Sequence, residues 1–345
     1  MTTYYGLYGQ KVQYLASDPT DVQIGQVWYN STSAVLKVRQ EVATNAWATG
    51  GNLNTARYGI GGAGVSNTAA IYFGGGIIAP APSALLTNSE SYDGTAWTNT
   101  PSLNTARGTQ GFGTQTSAVA AGGQAQPNPT ASAAVEEWNG SSWTSVTSKS
   151  QATVGSSGVA GVETAGLVFG GATGDGSPFV TATEEYNGSA WTSGGSMPGN
   201  AGAKAMANGG AGTQTAALSM GGDNGAGDAG TQVFSYNGTS WSAGTALNTA
   251  QRFQGGAGTQ TSAICFGGYA PSASGITQLW NGTSWTTSPN SLATIRVEFS
   301  GCGTQTSALA AGGFPGSYPG SGPGASNATE EWTGTQTLSR TVTVS

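Results

Sequence analysis

Any chemistry in this chain has to be done without histidine. None of its 345 residues is His, which removes imidazole acid–base catalysis, Ser-His-Asp triads and His-ligated zinc, copper or iron. Three carboxylate pairs, Glu136-Glu137, Glu184-Glu185 and Glu330-Glu331, offer the acid and base of a glycosidase. They recur at one position of a repeat, however, and strand alternation turns one of each pair outward, so solvated strand residues account for them. Basic residues recur too. Arg57 and Arg107 end the motif Leu-Asn-Thr-Ala-Arg, Arg252 and Arg296 end variants of it, and Lys204 holds a related place. As a partial ring around one mouth these five would hold an anion or an acidic glycan. As structural groups, the reading expected here, they would bind carbonyls of a neighbouring sheet. Asp223-Asn224-Gly225-Ala226-Gly227-Asp228 lacks the ligand count and closing glutamate of an EF-hand, and turn formation explains it. Cys265 and Cys302 are too few for a disulfide framework and are expected as buried free thiols. No catalytic constellation, metal site or cofactor site follows, and a non-enzyme is expected.

The elements that position these residues come from the composition and its periodicity. With 58 Gly, 13 Pro and only 8% charged residues, the chain is neither a coiled coil nor a charge-driven disordered chain. A net charge of −6 gives no basic stripe, so no nucleic-acid partner is expected. The start has no charged segment followed by an apolar run, and no apolar stretch is long enough to span a membrane, so neither a signal peptide nor membrane insertion is expected.

A repeat then organises the sequence. Gly-Gly pairs close short apolar runs at Gly74, Gly122, Gly170, Gly221, Gly267 and Gly312, at steps of 45 to 51 residues. Each is followed by an aromatic: Tyr92, Trp138, Tyr186, Tyr236, Trp280 and Trp332. Five residues later comes Trp97, Trp143, Trp191, Trp241 or Trp285. Each unit reads as four short strands. Asp93-Gly94 and the Asn-Gly dipeptides at Asn139, Asn187, Asn237 and Asn281 predict two-residue type I′ hairpins between the last two strands. Such a turn would make the two aromatics diagonal neighbours. The same asparagines lie in Asn-x-Ser/Thr sequons, for which turn formation is a sufficient role. Gly-Thr-Gln-Thr at Gly113, Gly212, Gly258 and Gly303 joins the first two strands.

The last unit has Thr337 where its tryptophan belongs, and the missing residue stands before the first unit as Trp47. A strand around Trp47 is therefore expected to complete the sixth unit and remove an open sheet edge. The expected organisation is an N-terminal arm and hairpin over 1–45, repeats over 46–332, and a tail strand over 333–345. The arm carries Tyr4, Tyr5, Tyr8, Tyr14 and Trp28, candidate docking residues because aromatics are favoured in interfaces; the alternative is that they cover the ring's own surface.

Four-stranded units of this length around a ring make an all-β propeller, and the Gly-Gly, aromatic, Trp order resembles the kelch family. The resemblance covers about residues 46 to 332; the six repeats and the Trp47 closure give the expectation of six blades, or seven if residues 25–40 and the tail build another. The gap between aromatic and tryptophan is shorter than in common kelch repeats. Copper oxidases that resemble this fold need histidine, and sialidase propellers need Asp-box repeats that are missing here. The Gly-Thr-Gln-Thr and Asn-Gly-Thr-Ser-Trp repeats are similar to kelch-type propellers of marine bacteriophages. Asp18-Pro19 followed by Gly25-Gln26-Val27-Trp28-Tyr29-Asn30-Ser31 resembles the leader of phage tail and virion surface proteins. What this resemblance implies is a virion structural protein on the particle exterior, assembled in the host cytoplasm and bound to capsid or tail proteins through residues 1–40. The alternative is a tail-fibre propeller that binds a host-surface glycan or receptor through its variable loops, Ile77–Leu86, Gln124–Ser132 and Phe314–Ser326. A propeller enzyme is the remote third.

Overall fold

The computed structural model describes residues 12–42, 44–77, 84–125, 130–154, 158–173, 179–198, 209–223, 229–269, 272–316 and 324–342. The chain divides into two compact units: Met1–Asn45 with Gly334–Ser345, and Ala46–Thr333. Every regular element among the described residues is a strand.

The described residues of Ala46–Thr333 form six four-stranded antiparallel sheets. Numbered one to six in chain order, their first strands are Gly61–Ser66, Gly108–Gly113, Gly158–Val162, Gly209–Thr213, Gly255–Thr259 and Ser300–Thr304. Five sheets take all four strands from consecutive sequence. Sheet six takes its fourth from Ala46–Thr49, which pairs with Thr329–Thr333 and sets Trp47 opposite Trp332. The second strands, such as Ala69–Phe73, read as unbroken apolar runs because both faces of each sheet are covered. Ala70 and Tyr72 join a core shared with sheet six, whereas Ile71 and Phe73 join one shared with sheet two. Among the described residues there are six such cores, one for each successive pair of sheets and one between sheets six and one.

The first strands approach one another backbone to backbone, which explains their glycines. A Cβ on Gly210 would lie 2.1 Å from the Val159 carbonyl oxygen, and one on Gly111 would lie 3.0 Å from the Gly62 nitrogen. Alternation along each sheet puts the turns joining strands one to two and three to four at one end. The connections from strand two to three, and from strand four to the next sheet, lie at the other.

The expected two-residue hairpins are not what forms. Tyr186 pairs directly with Trp191, Tyr236 with Trp241 and Trp280 with Trp285, so the aromatics are direct rather than diagonal partners, with ring centroids 4.7 to 5.2 Å apart. The loop has four residues, closed by Asn187 N donating to the Ala190 carbonyl. The reason is the asparagine side chain. Its Oδ1 accepts from the backbone N–H two and three residues on, at 3.0 and 2.8 Å for Asn187, building an Asx turn in which only the glycine needs positive φ. Asp93 does the same in sheet one, at 2.8 Å to both Thr95 N and Ala96 N.

The other unit is one sheet in the order Gln13–Leu15, Val27–Asn30, Val35–Val42, Gln336–Thr341, with the first pair parallel and the others antiparallel. Residues 25–40 and the tail are thereby brought together.

Candidate functional site

Most of the chemistry-bearing side chains of Ala46–Thr333 turn out to be buried locks. Arg57 is fully buried and donates to Glu90 Oε1 at 2.7 Å, to the Asn88 carbonyl at 2.8 Å and to the Gly74 carbonyl at 3.0 Å. Arg107 with Glu136, and Arg296 with Glu330, repeat the arrangement in sheets two and six. The glutamate's remaining oxygen capacity caps the backbone of the Asn-Thr-Ala loop, as in Asn54 N to Glu90 Oε2 at 2.7 Å. Burial pushes Arg57 and Arg296 down, and the charge of the partner glutamate opposes it. The expectation of solvated strand carboxylates is thus corrected: Glu90, Glu136, Glu184 and Glu330 are buried, because an arginine or lysine with no water needs a counter-charge. A basic ring open to an anion is corrected with it, since Arg57, Arg107 and Arg296 expose nothing.

Arg252 is not the equivalent residue. Gln251 holds the lock position and Gln278 the glutamate position, and the two amides hydrogen-bond to each other. Gln251 Nε2 still reaches the Gly267 carbonyl at 2.6 Å. One register step displaced, Arg252 pairs with Asp223. In sheet three Thr153 stands at the lock position, its carbonyl accepting from Gly123 N as that of Arg107 accepts from Gly75 N, and Lys149, from earlier in the loop, supplies the cation, 3.5 Å from Glu184; the repeat pattern gave no signal for it. Phe234 replaces the acid in sheet four. Lys204 lies outside the described residues, as do 224–228 of the calcium-loop reading and the middle of each variable loop.

The second glutamates bind between sheets. Glu331, Glu137 and Glu185 accept from the hydroxyls of Tyr92, Tyr186 and Tyr236 of the following sheet. Burial first, then the carboxylate, raises these phenols, Tyr236 to about 12. Where the following aromatic is Trp138, Trp280 or Trp332, the preceding residue is Ser91, Ser235 or Leu279, and the indole N–H donates instead to the carbonyl of Gln115, Gln260 or Gln305. That covariation within the repeat was legible. The role of the Gly-Thr-Gln-Thr glutamine was not: Gln115 Nε2 donates to the Tyr92 and Ala70 carbonyls of the preceding sheet at 2.6 and 3.3 Å. Gln214, Gln260 and Gln305 make the same strap.

Between the first strands lies a glycine-lined cavity of about 90 Å³, room for a few waters and far short of a drug-sized ligand site. Among the described residues no three Cys, Asp or Glu stand together as metal ligands. Cys265 and Cys302 are buried and free, and burial raises Cys302 to about 12, which leaves it an inert thiol.

In the two-ended sheet, Tyr14 is 74% exposed and stacks on Tyr29 with ring centroids 4.7 Å apart. Trp28 is fully buried and donates to Asp18 Oδ1 at 3.1 Å, so as a surface anchor it is corrected. Asp18 also accepts from Asn30 at 2.7 Å and from Lys37 at 2.6 Å, which lowers its carboxyl to about 2. Tyr4, Tyr5 and Tyr8 lie outside the described residues.

No protein-family model and no curated protein matches the chain. Among solved structures it is similar to that of YjhT, with a TM-score of 0.60 at 14% identity over 80% of this chain and 95% of that one. Together with the sheets above, this likeness supports an all-β, propeller-like fold.

Proposed function

We propose that the chain is a non-enzymatic structural module of a bacteriophage particle, a six-bladed kelch-type propeller closed through the Trp47 strand and attached by its N-terminal arm. The ring reading is supported by the six inter-sheet cores, the last of them between sheets six and one, and by the pairing of Trp47 with Trp332. The observation that carries the functional reading is where the charge goes. All five described cations of Ala46–Thr333 sit in ion pairs, four of them buried. Side chains committed to internal locks are not available as general acids, phosphate clamps or a nucleic-acid surface. Such a module needs no cofactor. Assignment to a particle's exterior rests on the resemblance of the leader and repeats to phage surface proteins, and the arm's exposed Tyr14 supports an attachment role. Cryo-electron microscopy of intact particles tests it: density for a propeller on capsid or tail is expected, and its absence from particles defeats the reading.

A second reading, attachment to a host-surface glycan or receptor, is favoured by a cluster of aromatic and charged residues in sheets five, six and one.

A further inference from the structure

We infer that the loops entering sheets five, six and one form a binding site for a neutral pyranose, with Glu298 and Tyr58 as its polar and stacking groups. This deepens the second reading and rests on it. Three equivalent loops carry the site. Two residues beyond each lock position the backbone turns left-handed: Gly59 at φ 58°, Phe253 at φ 57° and Glu298 at φ 53°. The loops are linked edge to edge, Gly59 N donating to the Glu298 carbonyl at 2.8 Å and Glu298 N to the Phe253 carbonyl at 3.2 Å. The conformation suits glycine, as Gly59 shows. Phe253 and Glu298 are held there against that preference, and non-glycine residues kept in this region mark places where a side chain serves a purpose.

The neighbours of Glu298 fit one ligand chemistry. Its carboxyl accepts no hydrogen bond from the described residues, and loss of water pushes it up to about 7, so near neutrality it can donate as well as accept. Tyr58 precedes Gly59, whose N–H is bound to the Glu298 carbonyl, and burial and then the Glu298 charge raise its phenol. Tyr58 is partly exposed and stacks on Phe314 with centroids 4.2 Å apart; Phe314 pairs with Val297. The Arg252 guanidinium lies 5.2 Å from the Phe253 ring centre and 4.8 Å from that of Tyr269, and is neutralised by Asp223. A carboxyl that can donate and accept, a phenol hydroxyl and a stacked ring face are what a polyhydroxylated ring needs: hydroxyls to the polar groups, C–H face to the aromatic. Among the described residues the cation of the patch, Arg252, is already paired with Asp223, so they supply no free positive charge with which to select an acidic sugar. The positions equivalent to Tyr58 in sheets two and three, Gly108 and Val154, offer no such group.

The test is a glycan array and saturation-transfer NMR with glucose, galactose, N-acetylglucosamine and N-acetylneuraminic acid, on the full chain and two variants. Glu298→Gly keeps the backbone that Gly59 already adopts, so it should melt no lower than wild type and yet bind neutral sugar at least tenfold more weakly. Tyr58→Ala should lose the ring-proton saturation signal. Wild-type binding that Glu298→Gly leaves unchanged, or preference for the acidic sugar, overturns this site and leaves glycan attachment to another surface. A wild-type chain that binds no glycan on the array overturns the site together with the glycan part of the reading beneath it.

Discussion

At the scale of single residues, the repeat contains its own substitution experiment. Sheets one, two and six bury an Arg–Glu pair, and sheet five buries Gln251–Gln278 on the same backbone frame. Replacing one partner of a buried pair strands a charge, a loss of about 3–5 kcal/mol. Arg57→Gln alone should therefore destabilise by that order, and Arg57→Gln with Glu90→Gln should recover most of it, because sheet five shows the neutral pair satisfying the same carbonyls. Urea unfolding of the two singles and the double closes the cycle; a double variant as unstable as the sum of the singles defeats the equivalence. A second contrast concerns the straps. Glu163 stands in sheet three where Gln115, Gln214, Gln260 and Gln305 donate to two carbonyls, and it only accepts, from Ser117 at 3.1 Å. Glu163→Gln adds a donor for the Ala118 and Trp138 carbonyls of sheet two and should stabilise by about 0.5–1.5 kcal/mol, read as a raised melting temperature. The recurrence of Arg57, Arg107 and Arg296 was legible in the sequence. Their partners were not, because Glu90 and Glu136 lie about thirty residues on and only the folded register brings them close. Arg252 misled because it sits one residue from the lock, and a motif ending in arginine does not reveal which of two neighbours faces inward.

At the scale of elements, the turns show how a correct residue signal can carry a wrong geometry. Asn-Gly announced four of the hairpins and Asp-Gly a fifth, and glycine does take positive φ, at 89 to 92° in Gly188, Gly238 and Gly282. The asparagine amide then captured two backbone N–H groups and lengthened the loop to four residues, an outcome set by side chain–backbone competition that dipeptide preference does not encode. Since the turn uses only Oδ1 as an acceptor, and Asp93 already does this work, Asn237→Asp should leave stability within about 0.5 kcal/mol. Asn237→Ala removes both bonds to Thr239 N and Ser240 N and should cost about 1 kcal/mol. Thermal melts that rank the two variants the other way would contradict the acceptor role. The strand around Trp47 was legible from the Trp-to-Leu spacing, because an aromatic pair across neighbouring strands recurs in every sheet. Its indole N–H reaches Thr277 Oγ1 in sheet five at 2.9 Å, the counterpart of Trp97 to Thr329 and Trp241 to Thr183. Deleting residues 1–50 should therefore open sheet six, giving aggregation or loss of a cooperative melt.

At the scale of the whole molecule, the two units invite separation. Ala46–Thr333 owns its six cores and its fourth strand for sheet six, and none of these draws on Met1–Asn45 or Gly334–Ser345. The smaller unit joins both chain ends in one sheet, Val35–Val42 against Gln336–Thr341, which leaves Gln13–Leu15 as an edge strand with Tyr14 exposed. An edge strand and an exposed aromatic are the means by which one chain adds to another. A deletion of 1–40 alone would leave the tail strand without its partner and confuse attachment with exposure of a new edge. The cleaner variant removes 1–44 and 335–345 together. It should melt as cooperatively as the intact chain, because every sheet of the larger unit is retained, and it should fail to appear on particles assembled in its presence. Quantitative mass spectrometry of purified particles decides the matter: incorporation at normal copy number would move attachment onto the six sheets, and the smaller unit would then be needed only for its own fold.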